Sequence, residues 1–121
     1  MDIIKEKLPI LMIKDLETLK VLTDSLRLQI IEVLAPEPQT VNQIAKQLGL
    51  SASRLYYHFH LLESSGLIRV VETRMVNNIL EKIYWVTADT FDVDKNLLNF
   101  TSDAGQENIT RVVTTSLDAT R

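Results

Sequence analysis

The side chains best suited to contacting a charged ligand are concentrated in a short stretch that begins at Ser51. This stretch carries hydroxyl groups, one guanidinium, two phenols and two imidazoles, and its first acidic residue is Glu63. A guanidinium can bond to guanine through two hydrogen bonds, and hydroxyl and ring N–H groups can donate to phosphates or base edges. The stretch therefore predicts recognition of nucleic acid.

A helix over residues 51–65 would sort these side chains by face, because each residue advances about 100° around the axis. The apolar face, which we expect to pack in a core, consists of Leu55, Phe59 and Leu62. The opposite face consists of Ser53, Tyr57, His60 and Ser64. Such a helix would present a polar surface to a ligand while its other side is held by the fold.

Residues near the N-terminus of a recognition helix are the ones that reach base edges. We expect Ser51 to cap this helix, and we expect base or near-base contacts from Ala52, Ser53, Arg54 and Tyr57. Tyr56 and His60 are expected closer to phosphates. Two alternatives stay open: Arg54 could pair with a surface carboxylate, and one of the two tyrosines could pack against a neighbouring hairpin.

The preceding residues predict a second helix joined to the first by a tight turn. Thr40 and Gln43 have the spacing of a capping box, which indicates a helix over residues 41–48. Gly49 occupies the position where a helix end needs a left-handed residue, and Ala45 is small enough for a close helix crossing. This arrangement is typical of a helix-turn-helix over residues 41–65, with phosphate contacts expected from Thr40, Gln43 and Lys46.

A change of period after Gly66 predicts a β-hairpin. Residues 67–74 and 80–87 are rich in β-branched and aromatic side chains. Asn77-Asn78 suits the turn because Asn tolerates positive φ. This wing, residues 67–87, is expected to touch the DNA backbone or minor groove through Arg74, Asn77, Asn78 and Lys82, whereas a solvated strand face is the alternative for Arg74 and Lys82.

The remaining segments predict further helices. Residues 15–22 and 24–34 have apolar stripes, with Thr23 or Asp24 as the second cap. A short helix is expected within residues 92–100, and an amphipathic one after Gln106, with its stripe at Ile109, Val112, Val113 and Leu117. The sequence thus predicts a mainly α fold with a small β-hairpin (α+β): a winged helix-turn-helix domain over residues 1–90 and a helical extension over residues 91–121.

Two stretches resemble the ArsR-like family of winged helix-turn-helix transcription regulators. They are TDSLRLQII, residues 23–31, and TVNQIAKQLGLSASRLYYHFHLLESSGLIRVVET, residues 40–73, in which His58 matches a histidine common in the family. The resemblance covers about residues 15–90 and is closest to a cysteine-free branch that continues into longer C-terminal helices. It implies a homodimer, held by the N- and C-terminal helices, and a natural protein that extends beyond Arg121.

Composition and residue spacing argue against metal sensing, a metal site and enzymatic activity. The 121 residues include no cysteine, so thiolate metal sensing, known in the ArsR-like family, does not carry over. His58 and His60 are two apart, diverge by about 200° on a helix and do not form a chelating pair; we therefore expect no metal and no cofactor. No phosphate loop or nucleophile–base set indicates an enzyme.

Charge and hydropathy favour a DNA-binding protein of the cytoplasm. The net charge is −3, but it is divided as −2 over residues 1–39, +2 over residues 40–85 and −3 over residues 86–121. The sequence has neither a membrane-spanning run nor a signal peptide. We predict a homodimeric transcription regulator, a repressor in a prokaryote, that binds a palindromic operator in double-stranded DNA. The alternative is a winged-helix module for protein–protein interaction.

Overall fold

The computed structural model describes residues 7–98 of the chain. The helices are α1 (Leu16–Leu22), α2 (Ser25–Leu34), α3 (Val41–Leu48), α4 (Ala52–Ser64) and α5 (Lys95–Leu98). The strands are β1 (Leu8–Ile13), β2 (Gln39–Thr40), β3 (Ile68–Val76), β4 (Ile79–Val86) and β5 (Ala88–Val93). The four main helices and the hairpin therefore begin and end within a few residues of the predicted bounds.

Local side-chain chemistry explains where the helices begin. The carboxylate of Asp15 accepts from the backbone N–H of Thr18, and Asp24 accepts from the N–H groups of Leu26 and Arg27. These contacts satisfy donors that a helix start leaves without a partner. Between the two caps predicted for α2, Asp24 is the one that the structure uses.

The wing belongs to a three-stranded antiparallel sheet of order β2-β4-β3. Asn77 and Asn78 have φ values of 54° and 66°, as a type I′ turn requires, so the predicted turn is confirmed. The register shifts between Val70 and Glu72, which leaves Val71 as an extra residue in β3. Such a β-bulge bends and twists the ribbon, and it sets the direction in which the wing projects.

The N-terminal strand differs from the sequence interpretation. Residues 8–13 form β1, which pairs in parallel with β5 and is joined to it by register pairs such as Leu11 with Phe91. The predicted domain boundary at residue 90 falls inside β5, so the start of the expected helical extension is a strand. The helix expected within residues 92–100 is reduced to α5. The stripe at residues 109–117 lies outside the described residues.

One hydrophobic core joins these elements. The first four helices, β1 and β5 all contribute fully buried side chains to it. These include Ile13, Leu22, Ile30, Ile44, Leu55, Phe59, Leu62 and Phe91. Tyr84 of β4 packs edge-to-face against Phe59 of α4, with ring centroids 5.1 Å apart. The core thus fixes α4 against both α3 and the wing. No helix within residues 7–98 is long and apolar enough to cross a membrane.

Candidate nucleic-acid interface

The turn between α3 and α4 has the geometry that the sequence predicts. Gly49 adopts φ 71° and ψ 31°, the left-handed conformation, and its neighbour Leu50 donates its N–H to the carbonyl of Ala45 at 3.0 Å. Ala45 is 4% exposed and Ile44 is fully buried. The hydrogen bond closes the end of α3, and buried contacts between the two helices hold α4 against it.

The outward face of α4 is polar, as expected. Leu55, Phe59 and Leu62 are buried, while the exposed residues are Ser53, Arg54, Tyr56, Tyr57, His60 and Ser64. Ser51 stands at the N-cap position, but its hydroxyl makes no capping bond and lies 3.3 Å from the hydroxyl of Ser53. Ala52 is partly buried against the core. The first turn of α4 thus leaves Ser51, Ser53 and Arg54 accessible to a ligand.

His58 is held in the fold by a hydrogen bond, whereas Tyr57 and His60 of the same helix face outward. Its Nδ1 lies 2.9 Å from Nη1 of Arg27, whose Nε donates to the carbonyl of Val21 at 2.6 Å. Because a guanidinium can only donate, Nδ1 of His58 is the acceptor of this contact. The contact ties the junction of α1 and α2 to α4.

The residues predicted on α3 divide into two groups. Thr40 is 2% exposed, and its hydroxyl accepts from the N–H of Gln43 at 3.1 Å while the Gln43 side chain accepts from the N–H of Thr40 at 2.9 Å. The capping box therefore uses the acceptor oxygens of both side chains, and the burial of Thr40 argues against its expected phosphate contact, whereas the exposed Gln43 amide keeps its N–H donors. Gln43 and Lys46 are exposed, and of the three only Lys46 is not engaged in this cap.

A groove of about 530 Å³ separates α4 from the wing. From the predicted set it brings together Thr40, Tyr56, His60, Asn77 and Lys82. Ser51, Ala52, Ser53, Arg54 and Tyr57 do not line it, nor do Gln43, Lys46, Arg74 and Asn78. The predicted residues thus form two neighbouring surfaces: the first turn of α4 with the outer side of α3, and the groove beside the wing.

The groove is also lined by residues that the sequence analysis did not predict as part of the site. Two acidic residues line it, Glu63 on α4 and Glu81 on β4. Helical spacing could have indicated Glu63, because it follows His60 by three residues and Tyr56 by seven. Burial raises the pKa of the Tyr84 hydroxyl at the base of this groove, and the charge of Glu63 adds to that shift.

Arg74 contacts a carboxylate but is also partly exposed to solvent. Its Nε lies 3.4 Å from Oε1 of Glu81 across the hairpin, and half of its side chain is exposed. An exposed pair of this kind contributes at most about 1 kcal/mol, so it does not prevent Arg74 from turning to a phosphate. Lys82, Asn77 and Asn78 are exposed on the same hairpin. Within residues 7–98, no cluster of three or more acidic or histidine side chains could hold a metal ion.

Comparisons with known proteins agree with this geometry. Residues 22–71, from the end of α1 into β3, match a family model described as a helix-turn-helix domain. The chain is similar to the homodimeric winged helix-turn-helix DNA-binding domain (fragment 1-100) of a possible ArsR-family regulator from Mycobacterium bovis. The identity is 20%, the match covers 85% of this chain and 74% of that one, and the TM-score is 0.51.

Two other solved structures are similar over comparable lengths. The transcriptional regulator HlyU from Vibrio vulnificus is 22% identical, with 82% of this chain and 83% of that one covered and a TM-score of 0.48. A transcriptional regulator homologue from Pyrococcus horikoshii is 24% identical, with 83% of each chain covered and a TM-score of 0.48. No curated protein matches the chain. The family model and the similarity to the Mycobacterium bovis domain confirm the predicted winged helix-turn-helix fold.

Proposed function

We propose that the chain is a sequence-specific DNA-binding transcription regulator that places α4 in the major groove and the wing on the adjacent backbone or minor groove. The observation that carries this proposal is the outward face of α4, which is polar from Ser51 to Ser64 and lies beside a projecting hairpin across one groove. A helix held by its apolar face, with an exposed polar N-terminal turn, is the shape that major-groove recognition needs.

Arg54 is the residue to which we assign base recognition. It lies in the first turn of α4 and is exposed, so its guanidinium is free to approach a base edge. A guanidinium reads guanine through O6 and N7 together, which a single ammonium cannot do. Lys46 on α3 and Lys82 on the wing are exposed on either side of α4, where we assign them to phosphates.

A homodimer and a palindromic operator complete the proposal. Two-fold proteins place two recognition helices in successive major grooves, so their sites are palindromic. The similar Mycobacterium bovis domain is homodimeric. On this chain, an exposed apolar surface at the N-terminus supports self-association; it consists of Leu8, Ile10, Met12 and Leu16. We assign the dimer to this surface with residues 91–121, and we propose that the regulator acts as a repressor in the cytoplasm.

The test is selection of bound duplexes from a randomised pool, followed by sequencing, with affinities measured by fluorescence anisotropy at two salt concentrations. We expect a palindromic site to be enriched and its affinity to fall steeply with salt, because lysine and arginine contacts release condensed counterions. Arg54→Ala should cost about 1–3 kcal/mol of discrimination at one base position in each half-site. Arg54→Lys keeps the positive charge. It should lose the base discrimination if Arg54 contacts a base, and keep the affinity if Arg54 contacts a phosphate.

Lys20→Ala is the matched control, because Lys20 is exposed on α1 and does not line the groove between α4 and the wing. It removes one positive charge and should leave the enriched sequence unchanged. If the folded, dimeric protein enriches no sequence and binds without salt dependence, the proposal is wrong. The carboxylates of Glu63 and Glu81 in the groove favour the second candidate, a module that binds another protein, and that result would support it.

A further inference from the structure

The end of the wing is apolar, which is unusual for a surface expected to meet DNA. Four large side chains surround the Asn77–Asn78 turn and are between 43% and 68% exposed: Met75, Val76, Ile79 and Leu80. They form two consecutive cross-strand pairs, Val76 with Ile79 and Met75 with Leu80. We call these four residues and the two asparagines the wing tip. Successive pairs of a ribbon project to opposite faces, so the tip is apolar on both sides. Exposed apolar side chains grouped in this way mark a binding surface, because water is a poor solvent for them.

We infer that the wing tip is an apolar wedge that enters the minor groove of the operator and bends the duplex. The inference rests on the proposed function. Val76, Ile79 and Leu80 line the same groove as Tyr56 and His60 of α4. A duplex seated on the outward face of α4 would therefore pass directly against the tip. The tip is continuous with the proposed DNA surface, which is why DNA is favoured over an unrelated protein partner.

The distribution of charge separates a wedge from an ordinary phosphate contact. Residues 75–80 carry no charge, while Arg74 and Lys82 lie one and two residues behind the tip, together with Glu81, the partly exposed ion-pair partner of Arg74. An uncharged tip followed by cations fits a hairpin whose tip lies between the bases while Arg74 and Lys82 lie beside the flanking phosphates. Asn77 and Asn78 supply amide donors for the acceptors that A·T pairs present in the minor groove.

The length of the hairpin permits insertion. The four residues of β4 that lie beyond the buried Ile83, residues 79–82, span about 13 Å, which exceeds the minor-groove depth of about 7.5 Å. Apolar side chains that part a base step unstack it and kink the duplex towards the major groove. Burial of side chains that are otherwise in water offsets the unstacking. Pyrimidine–purine steps deform most easily, so we expect one at the wedge position.

The test measures duplex bending by energy transfer between dyes at the two ends of the enriched site, at saturating protein. The variant is Val76→Thr with Ile79→Thr, which keeps β-branched side chains and hence the strand propensity. We expect the unaltered protein to bend the duplex by roughly 20–90°. The double variant should lose at least half of that bend while it enriches the same sequence. A 2-aminopurine placed at the wedge step should brighten only with the unaltered protein.

Thr73→Val is the control, because Thr73 is exposed on β3 of the same hairpin, does not line the groove and is exchanged for a similar β-branched side chain. It should leave the bend unchanged. A straight complex of the unaltered protein, or equal bending by the double variant, would overturn the wedge while leaving sequence recognition intact. Loss of self-association in the double variant, with bending retained, would also overturn it and assign the tip to a second copy. Absence of any enriched site would refute the proposed function itself, and the wedge with it.

Discussion

Thr40 shows how the fold can withdraw a polar side chain from a ligand. Its type and position suited a phosphate contact, but its hydroxyl accepts from the backbone of Gln43 and the residue is buried. The first turn of a helix leaves N–H groups without intrahelical partners, and a side chain next to them is the nearest acceptor. Local capping therefore takes precedence over ligand binding at this position.

Replacement of Thr40 by Val should lower the free energy of unfolding by about 1 kcal/mol, because the cap is lost while the shape is nearly kept. Chemical denaturation followed by circular dichroism measures it. Thr73→Val, on an exposed strand position, is the control and should change stability by less than about 0.5 kcal/mol. Equal effects of the two changes would show that the hydroxyl of Thr40 does not stabilise α3.

Tyr84 links stability to alkaline pH. Burial raises its pKa above the ordinary 10.0, with Glu63 adding to the shift, so the folded protein keeps the proton where the unfolded chain releases it. This stabilisation is complete below pH 10 and is lost as pH rises through the folded value. Unfolding measured from pH 8 to 11 should show a fall that Tyr84→Phe reduces. An identical fall in both proteins would assign it to other groups.

At the scale of elements, the turn between α3 and α4 depends on backbone conformation alone. A Cβ added to Gly49 would meet no atom within 4 Å, so the left-handed φ of 71° is the whole obstacle to other residues. Gly49→Ala should therefore lower the free energy of unfolding by about 1–2 kcal/mol. Gly49→Asn should cost less, because Asn tolerates this conformation. Thermal melts of both variants test this, and an equal loss would point to a steric cause instead.

Elements with local signals were predictable, and elements that depend on distant partners were not. The capping box at Thr40, the glycine at position 49 and the Asn77–Asn78 turn each act within a few residues, and each is found as expected. Strand β1 gave no such signal. Its pattern LPILMI does not alternate, and the strand exists because β5, about 80 residues later, offers a partner.

The same distinction applies to the candidate site. Helical periodicity placed Ser53, Tyr57 and His60 on the outward face of α4, where the structure has them. It could not show that Glu63 and Glu81 meet across one groove, because that meeting depends on how the wing is set against α4. The sequence shows that residues 75, 76, 79 and 80 are apolar. That they are exposed at the end of the hairpin follows only from the register of β3 and β4 in the structure.

At the scale of the whole molecule, the N-terminal strand is part of the core. Ile13 is 2% exposed, whereas Ile10 on the same strand is 55% exposed. Trp85 extends the connection, because its Nε1 donates to the carbonyl of Ala35 at 3.1 Å and Lys7 lies over its ring at 4.3 Å. The strand, the end of α2 and the wing sheet are therefore expected to unfold together.

Ile13→Ala should lower the free energy of unfolding by about 2–5 kcal/mol, since it removes buried methyl groups and leaves a cavity. Lys14→Ala, at an exposed position directly after β1, should change it by less than about 0.5 kcal/mol. Urea denaturation followed by the emission of the single tryptophan, Trp85, measures both. Equally small effects would contradict the docking of β1 against the core.

The bulge at Val71 has a consequence for how such domains diverge in evolution. Removal of this one residue would leave every cross-strand pair of the hairpin in place, from Ile68–Val86 to Val76–Ile79. Only the bend and twist that the extra residue introduces would change, and with them the angle between the wing and α4. Deletion of this single codon would thus change the distance and angle between α4 and the wing tip without changing any residue of either surface. Substitutions within the two surfaces would not change the geometry in this way.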